Sequence, residues 1–258
     1  MITSRSNGRI KDIISLMSSA RSRRESGLYV AEGEKIFTEA PVDQIDSVFI
    51  SETYPDKCSE EARIKLEKTG YELTASHVFN KITDTKTPQG ILVVLRQPSY
   101  DLNKIISSLD NRVRVLLLEG VQDPGNLGTM IRTAEGAGFD LIIADRRTAD
   151  VYNPKVIRST MGSVFRVNIC YTEDLKESIK MLKNTGTVIY AAHLKGERDY
   201  CEEEYGDKAA FIIGNEGNGL SDEITALADK LIRIPMCGKV ESLNASVAAA
   251  ILMYNSIR

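Results

Sequence analysis

The 258-residue chain is 42% hydrophobic and 27% charged, a balance that supports one large or two modest folded domains and excludes a disordered polymer. A formal net charge of −3 excludes a polycation, so any surface for nucleic acid has to be local. The four cysteines, Cys58, Cys170, Cys201 and Cys237, form no Cys-x-x-Cys pair and are joined only by His77 and His193, which argues against a zinc framework or any other metal site and for reduced thiols. The first 24 residues are too interrupted by charge for a signal segment, and no apolar run approaches a membrane span; a cytoplasmic location away from membranes is expected.

In chain order, Ile10, Ile13, Ile14 and Met17 recur at helical spacing across 5–24, with Arg5, Arg9, Lys11, Arg21, Arg23 and Arg24 among them. That spacing predicts a basic amphipathic helix whose cations either sit in solvent or touch phosphate; the residues leave both open. Short strands at 28–31, 48–51, 71–74 and 91–95, with helical patterns at 34–39 and 60–68, predict a small α/β domain over 1–97. Pro98 and the polar run 100–103 break the pattern, so 98–111 reads as a linker carrying a helix at 102–109.

Beyond Arg112 the alternation is regular. Strands are predicted at 113–118, 141–144, 164–169, 188–192, 210–213 and 231–234, and helices at 126–138, 154–161, 173–183, 221–228 and 242–257. Asn153-Pro154 supplies a cap followed by proline at the first helical position. This order predicts an α/β domain over 112–258 with a parallel sheet covered on both faces.

Three stretches of that domain carry the chemistry. In VRVLLLEGVQDPGNLGTMIRTAEGAG a strand runs through a Pro-Gly-Asn loop into a helix on which Leu127, Met130, Ile131, Ala134 and Ala137 share one face. Gly128, Arg132, Glu135 and Gly136 fall on the opposite face, so Arg132 is displayed away from the packing side, near the strand end where open α/β sheets take ligands. In AAFIIGNEGNGLSDEI a strand enters a loop of alternating glycines that lets backbone approach a ligand, with Glu216 as its one carboxylate. The spacing is neither that of a dinucleotide fingerprint nor that of a P-loop, which removes support for hydride transfer and for nucleoside triphosphate hydrolysis. In LIRIPMCGKVESLNASVAAAILMYN, Ser242 and Asn244 stand at the start of a helix rich in alanine, where short polar side chains cap the helix or hold a ligand.

Together the three stretches resemble the SpoU-type methyltransferases of the SPOUT class. The match consists of N-L-G-x-x-x-R at 126–132, I-G-N-E-G-x-G-L at 213–220, and I-P-M with S-L-N-A-S-V-A at 234–236 and 242–248. YVAEGEKIFTEA and TPQGILVVL, in the first 97 residues, look like the substrate-binding domain that often precedes the catalytic one. The resemblance implies a C-terminal trefoil knot and transfer of a methyl group from S-adenosylmethionine to a ribose 2′-hydroxyl of structured RNA, ribosomal before transfer RNA. It also implies a homodimer that shares residues across its interface, packed through the last helix and the first helix of the catalytic domain. Asn126, Arg132, Glu216, Ser242 and Asn244 match the family's polar active-site set, and Gly214, Ile234, Met236 and Leu243 would line the cofactor pocket. Arg21, Arg23 and Arg24 are then the candidate RNA-phosphate contacts of the front domain.

In-line attack by a ribose oxygen draws most of its acceleration from positioning. Guanidinium stays protonated, so Arg132 is expected to clamp phosphate and stabilise developing negative charge, with Glu216 fixing its orientation. A non-catalytic RNA-binding relative would need a damaged polar set, and all five residues are present.

Overall fold

The computed structural model describes residues 1–85, 87–109, 111–196 and 198–258. They form two compact units, Met1–Ser99 with Asp150–Phe165, and Tyr100–Ala149 with Arg166–Arg258. Asp110, inside the expected linker, lies outside the described residues.

The first unit opens with α1 (Gly8–Ser18) and α2 (Ala20–Ser26). The single helix expected over 5–24 is broken because Ser19 is extended and its hydroxyl oxygen accepts from the Ser22 N–H, which caps a new helix. There follow β1 (Leu28–Glu32), α3 (Glu34–Glu39), β2 (Ile45–Ser51), α4 (Glu60–Thr69), β3 (Glu72–Thr74), α5 (Ser76–Phe79) and β4 (Ile91–Arg96). The sheet order is β1-β4-β2-β3, antiparallel except where β3 joins β2. Ile10, Ile13 and Leu16 of α1 pack with Val30, Phe49 and Leu92 of the sheet. Ile14, expected on the apolar stripe, is 42% exposed, so the buried stripe follows Ile10, Ile13 and Leu16.

The second unit begins with α6 (Leu102–Ser108), β5 (Val113–Leu118), α7 (Pro124–Gly136) and β6 (Leu141–Asp145). The chain then returns to the first unit with α8 (Pro154–Thr160), which packs on β1 while the Tyr152 ring lies 4.6 Å from that of Tyr29. The strand expected over 164–169 is a 3-10 turn at Ser163–Phe165, and β7 starts later (Asn168–Thr172). The remaining elements are α9 (Leu175–Asn184), β8 (Val188–Ala192), β9 (Arg198–Asp199), β10 (Lys208–Ile213), α10 (Asp222–Thr225), β11 (Lys230–Arg233) and α11 (Ala245–Asn255).

Among the described residues, seven strands run in the order β7-β6-β5-β10-β8-β11-β9, and each of these pairings is parallel. Val115, Leu117, Ile143 and Ile212 of the central strands are fully buried against Ile179 and Leu182 of α9, which accounts for their near-continuous apolar reading. The chain proceeds from β5 towards one edge and resumes beyond β10 towards the other. The strand order therefore reverses between β5 and β10, the position at which open parallel sheets leave a crevice at their carboxyl ends. Among the described residues no helix is long and apolar enough to cross a membrane.

Candidate active site

The loops after β5 and β10 meet at this reversal. Asp123 caps α7 by accepting from the Asn126 N–H at 2.8 Å, and Pro124 takes the first helical position, where no donor is needed. The buried face of α7 carries Leu127, Met130, Ile131 and Ala134 as expected, but Gly128, placed on the outer face by periodicity, is also buried. Gly136 faces α11, and a Cβ there would lie 3.2 Å from the Tyr254 hydroxyl.

The loop after β10 is closed by a pair of backbone bonds between Asn215 and Gly219 at 2.9 and 3.0 Å, and Gly219 has a φ of +68° that favours glycine. A Cβ on Gly214 would sit 2.4 Å from the Gly219 carbonyl carbon, so only a bare backbone fits there. Asn215 secures the fold of the loop by donating from its amide to the Gly120 carbonyl at 2.8 Å.

Glu216 then reaches across to the first loop. Its carboxylate accepts from the N–H groups of Gln122 (3.1 Å) and Asp123 (3.0 Å) and from the Asn126 amide (3.0 Å). Asn126 Oδ1 in turn accepts from the Asn244 amide at 2.9 Å, while Asn244 Oδ1 caps α11 by accepting from the Ser246 N–H at 2.9 Å. A single hydrogen-bonded line thus ties together the three motif stretches, which lie about 90 and 118 residues apart along the chain.

Partial burial pushes the Glu216 carboxyl up, but the donors on Asn126, Asp123 and Gln122 outweigh it and hold the group below the usual carboxylate range. A depressed folded value means a contribution to stability that is complete above the unfolded value of about 4.3 and fades as pH falls through the folded one. Wild type should therefore exceed Glu216→Gln in Tm by its largest margin near neutral pH, with the gap closing below about pH 4. A gap independent of pH would show that the Glu216 charge is not what the loops hold.

Glu216, Asn126 and Asn244 are brought together; Arg132 is not among them. Six residues along α7 place Arg132 about 240° round the helix from Asn126. It is exposed and its side chain, among the described residues, makes no hydrogen bond or ion pair. The expectation that Glu216 orients Arg132 is corrected: the Glu216 oxygens are taken by Asn126 and the loop N–H groups. Ser242 is also corrected as a helix-start residue. The helix begins at Ala245 with Asn244 as its cap, and Ser242 lies exposed on the preceding loop.

Beside this network lies a cleft of about 380 Å³, walled by Gly214, Asn215, Ser242, Leu243, Ala245 and Ala248. An adjoining hollow of about 120 Å³ adds Ile232, Ile234 and Met236. All four expected cofactor residues, Gly214, Ile234, Met236 and Leu243, line one or both. The wall that sequence reasoning missed is Ala192, His193 and Leu194, which follows β8. Because β8 is seated between β10 and β11, its carboxyl end opens into the same space; the pairing order alone identifies it. The His193 Nδ1 accepts from the Lys195 N–H at 3.1 Å, which leaves Nε2 to carry the ring proton. Bare backbone at Gly214, small alanines, aliphatic Leu243 and one imidazole suit an adenosyl group with an aliphatic sulfonium tail.

Arg21 and Arg24 are exposed; Arg21 pairs with Glu25 at 2.7 Å and Arg24 has no partner among the described residues. Arg23 is a correction. It is 2% exposed, pairs with Asp150 at 2.8 Å and donates to the Leu16 carbonyl at 2.6 Å, so its guanidinium is committed inside the first unit. Helical spacing put Arg23 with its neighbours, and no local signal marked its distant carboxylate partner.

Residues 113–254 match the profile of the SpoU rRNA Methylase family, and residues 7–93 match the MRM3-like substrate binding domain. The chain is 35% identical over 257 residues to the 23S rRNA (guanosine(2553)-2'-O)-methyltransferase RlmP of Bacillus subtilis (strain 168), covering 98% of each. It also superposes on the AdoMet-bound rRNA methyltransferase of Sinorhizobium meliloti with a TM-score of 0.85 and 31% identity, covering 99% of this chain and 96% of that one. The AdoMet complex of the SpoU methyltransferase AviRb from Streptomyces viridochromogenes gives a TM-score of 0.84 at 25% identity, covering 97% of this chain and 98% of that one.

Proposed function

Because the chain belongs to the SpoU rRNA methylase family, we propose that it transfers a methyl group from S-adenosylmethionine to a ribose 2′-hydroxyl of ribosomal RNA. The observation that carries this reading is the line Asn244–Asn126–Glu216, which holds the three motif loops around a cleft whose wall at Gly214 is bare backbone. When bound, the cofactor supplies an electrophilic methyl carbon on a sulfonium sulfur. Gly214, Ile234, Met236, Leu243 and the 192–194 wall hold it by shape and backbone contact. Ser242, exposed on the rim, orients the hydroxyl or the cofactor's carboxylate end. Asn126, Glu216 and Asn244 fix the loops and keep the reacting atoms in near-attack geometry.

Arg132 is assigned to phosphate and to the developing oxyanion. It is turned away from the Asn126 network in its own chain, and a homodimer packed through α7 and α11 is the assembly in which it would complete a neighbouring site. We further assign residues 1–97 to RNA binding, a trefoil knot to the C-terminal domain over 112–258, and action in the cytoplasm.

Calorimetry of the purified protein tests the cofactor assignment. S-adenosylmethionine should bind without added metal, and Gly214→Ala should abolish binding because the added Cβ collides with the Gly219 backbone. Undiminished binding by a folded Gly214→Ala variant would remove the cleft from the proposal.

For RNA, Arg21→Gln with Arg24→Gln should weaken binding several-fold and flatten its salt dependence, sparing cofactor affinity. Arg23→Ala should instead destabilise the protein by about 3–5 kcal/mol, since it strands Asp150 without its buried partner. Filter binding across a salt series and thermal unfolding separate the two variants; equal RNA loss in both at unchanged Tm would overturn the division.

A further inference from the structure

The first unit contains a cavity for which methyl transfer has no use. Its volume is about 520 Å³, within the range of roughly 300–1,000 Å³ found for small-ligand sites. Glu34, Ser51, Tyr54, Lys57, Asn80 and Gly90 form much of its wall. Backbone sets its shape. Gly90 has a φ of +94°, and a Cβ there would lie 2.7 Å from Ser51 Oγ and 3.1 Å from the Tyr54 Cβ, so the loop into β4 closes directly on these side chains.

The polar groups of the wall are only partly used. Glu34 Oε2 accepts from the Tyr54 hydroxyl at 2.5 Å and Oε1 accepts from the Ser59 N–H at 3.3 Å. A carboxylate offers about two acceptor sites on each oxygen, so about one remains on each. Burial pushes the Glu34 carboxyl up, but the bonds from Tyr54 and Ser59 prevail and hold it below its ordinary value, which keeps it a charged acceptor at neutral pH. The Lys57 ammonium and the Asn80 amide are exposed and, among the described residues, have no hydrogen-bond or ion-pair partner.

Two spare acceptors on one carboxylate match two adjacent N–H donors. Among the four RNA bases guanine alone presents these side by side, as N1–H and the N2 amino group on its Watson–Crick edge, and that edge is accessible only in an unpaired nucleotide. A free ammonium on the same wall matches a phosphate. We propose that this cavity binds one unpaired guanine nucleotide of the RNA substrate, with Glu34 reading the base edge and Lys57 meeting the phosphate, as a site distinct from the methylated ribose. This assignment rests on the RNA-methylation reading, and the residues matched by a substrate-binding profile, 7–93, include the whole wall.

The test uses the full chain, NMR amide shifts, and GMP, AMP, CMP and UMP at ~5 mM as probes, a concentration suited to millimolar affinities. GMP should shift Ser51, Tyr54 and Gly90, with the other three nucleotides and Glu34→Gln at least roughly tenfold weaker. Lys57→Ala and Asn80→Ala change exposed residues and keep the test valid if Glu34→Gln fails to fold. In methyl transfer to ribosomal RNA, Lys57→Ala should raise KM for RNA roughly tenfold with kcat and cofactor affinity unchanged. No response to GMP at these amides, or equal response to all four nucleotides, overturns the guanine site. A GMP response with unchanged RNA KM in Lys57→Ala overturns its assignment to RNA and leaves a free-nucleotide site. A wild type that binds GMP here yet methylates no RNA would refute the methyltransferase reading while supporting the cavity's ligand.

Discussion

Arg132→Ala should fold normally, bind S-adenosylmethionine within a few-fold of wild type, and lose roughly 10²-fold to 10³-fold in single-turnover methyl transfer, the usual cost of removing a preorganised charged contact to a developing oxyanion. The structural half of this expectation follows from its exposure and from the lack of any partner among the described residues, so its removal strands no buried group. The catalytic half follows from the assigned role. An uncommitted guanidinium on a helix whose other face is packed is free to meet phosphate in a fork that lysine cannot reproduce, and Arg132→Lys should recover little. Near-wild-type turnover in the alanine variant would remove Arg132 from the mechanism, and lost cofactor affinity would move it into the cofactor cleft.

Asn126→Asp should be the most damaging change among near-isosteric ones. Asn126 donates to Glu216 and accepts from Asn244, so the substitution replaces the donor with a second carboxylate about 3.0 Å from the first. Two carboxylates at that separation do not both ionise readily; one takes up a proton, and the shared site has a raised apparent pKa. Above that value the pair repels and the loops after β5 and β10 separate, at a cost of about 2–3 kcal/mol together with most of the activity. Below it a proton restores one hydrogen bond. The variant should therefore be closer to wild type in Tm at pH 5 than at pH 8, opposite in sign to the acid loss expected for Glu216 itself. Equal destabilisation at both pH values would show that Asn126 and Glu216 are not coupled.

The regular half of the fold was legible because a parallel sheet buried on both faces writes long apolar strands into the chain, as at Val113–Leu118 and Leu141–Asp145. The motif residues could be read for a different reason: Gly214, Asn126 and Asn244 occupy positions where backbone crowding, a helix terminus and a cap each demand a particular side chain. What escaped was set by contacts distant along the chain. The buried pairing of Arg23 with Asp150 spans 127 residues, and with it the return of Asp150–Phe165 to the first unit. No periodicity reports such a contact. The same holds for Glu216, whose partners lie about 90 residues away, so its isolation among glycines marked it as important without saying what it bonds. His193 entered the wall of the cleft through strand order alone.

Placement of a methyl group on a ribose of ribosomal RNA by this chain has a direct signature in the RNA itself. Site-by-site mapping of 2′-O-methylation in ribosomal RNA from cells with and without the gene, followed by incubation of the unmethylated RNA with purified protein and S-adenosylmethionine, tests it most directly. One ribose should lose its methyl group in the deletion and regain it in vitro, with wild type but not with Arg132→Ala. Identical methylation in both strains, with no transfer to either RNA by the folded, cofactor-bound protein, would contradict it.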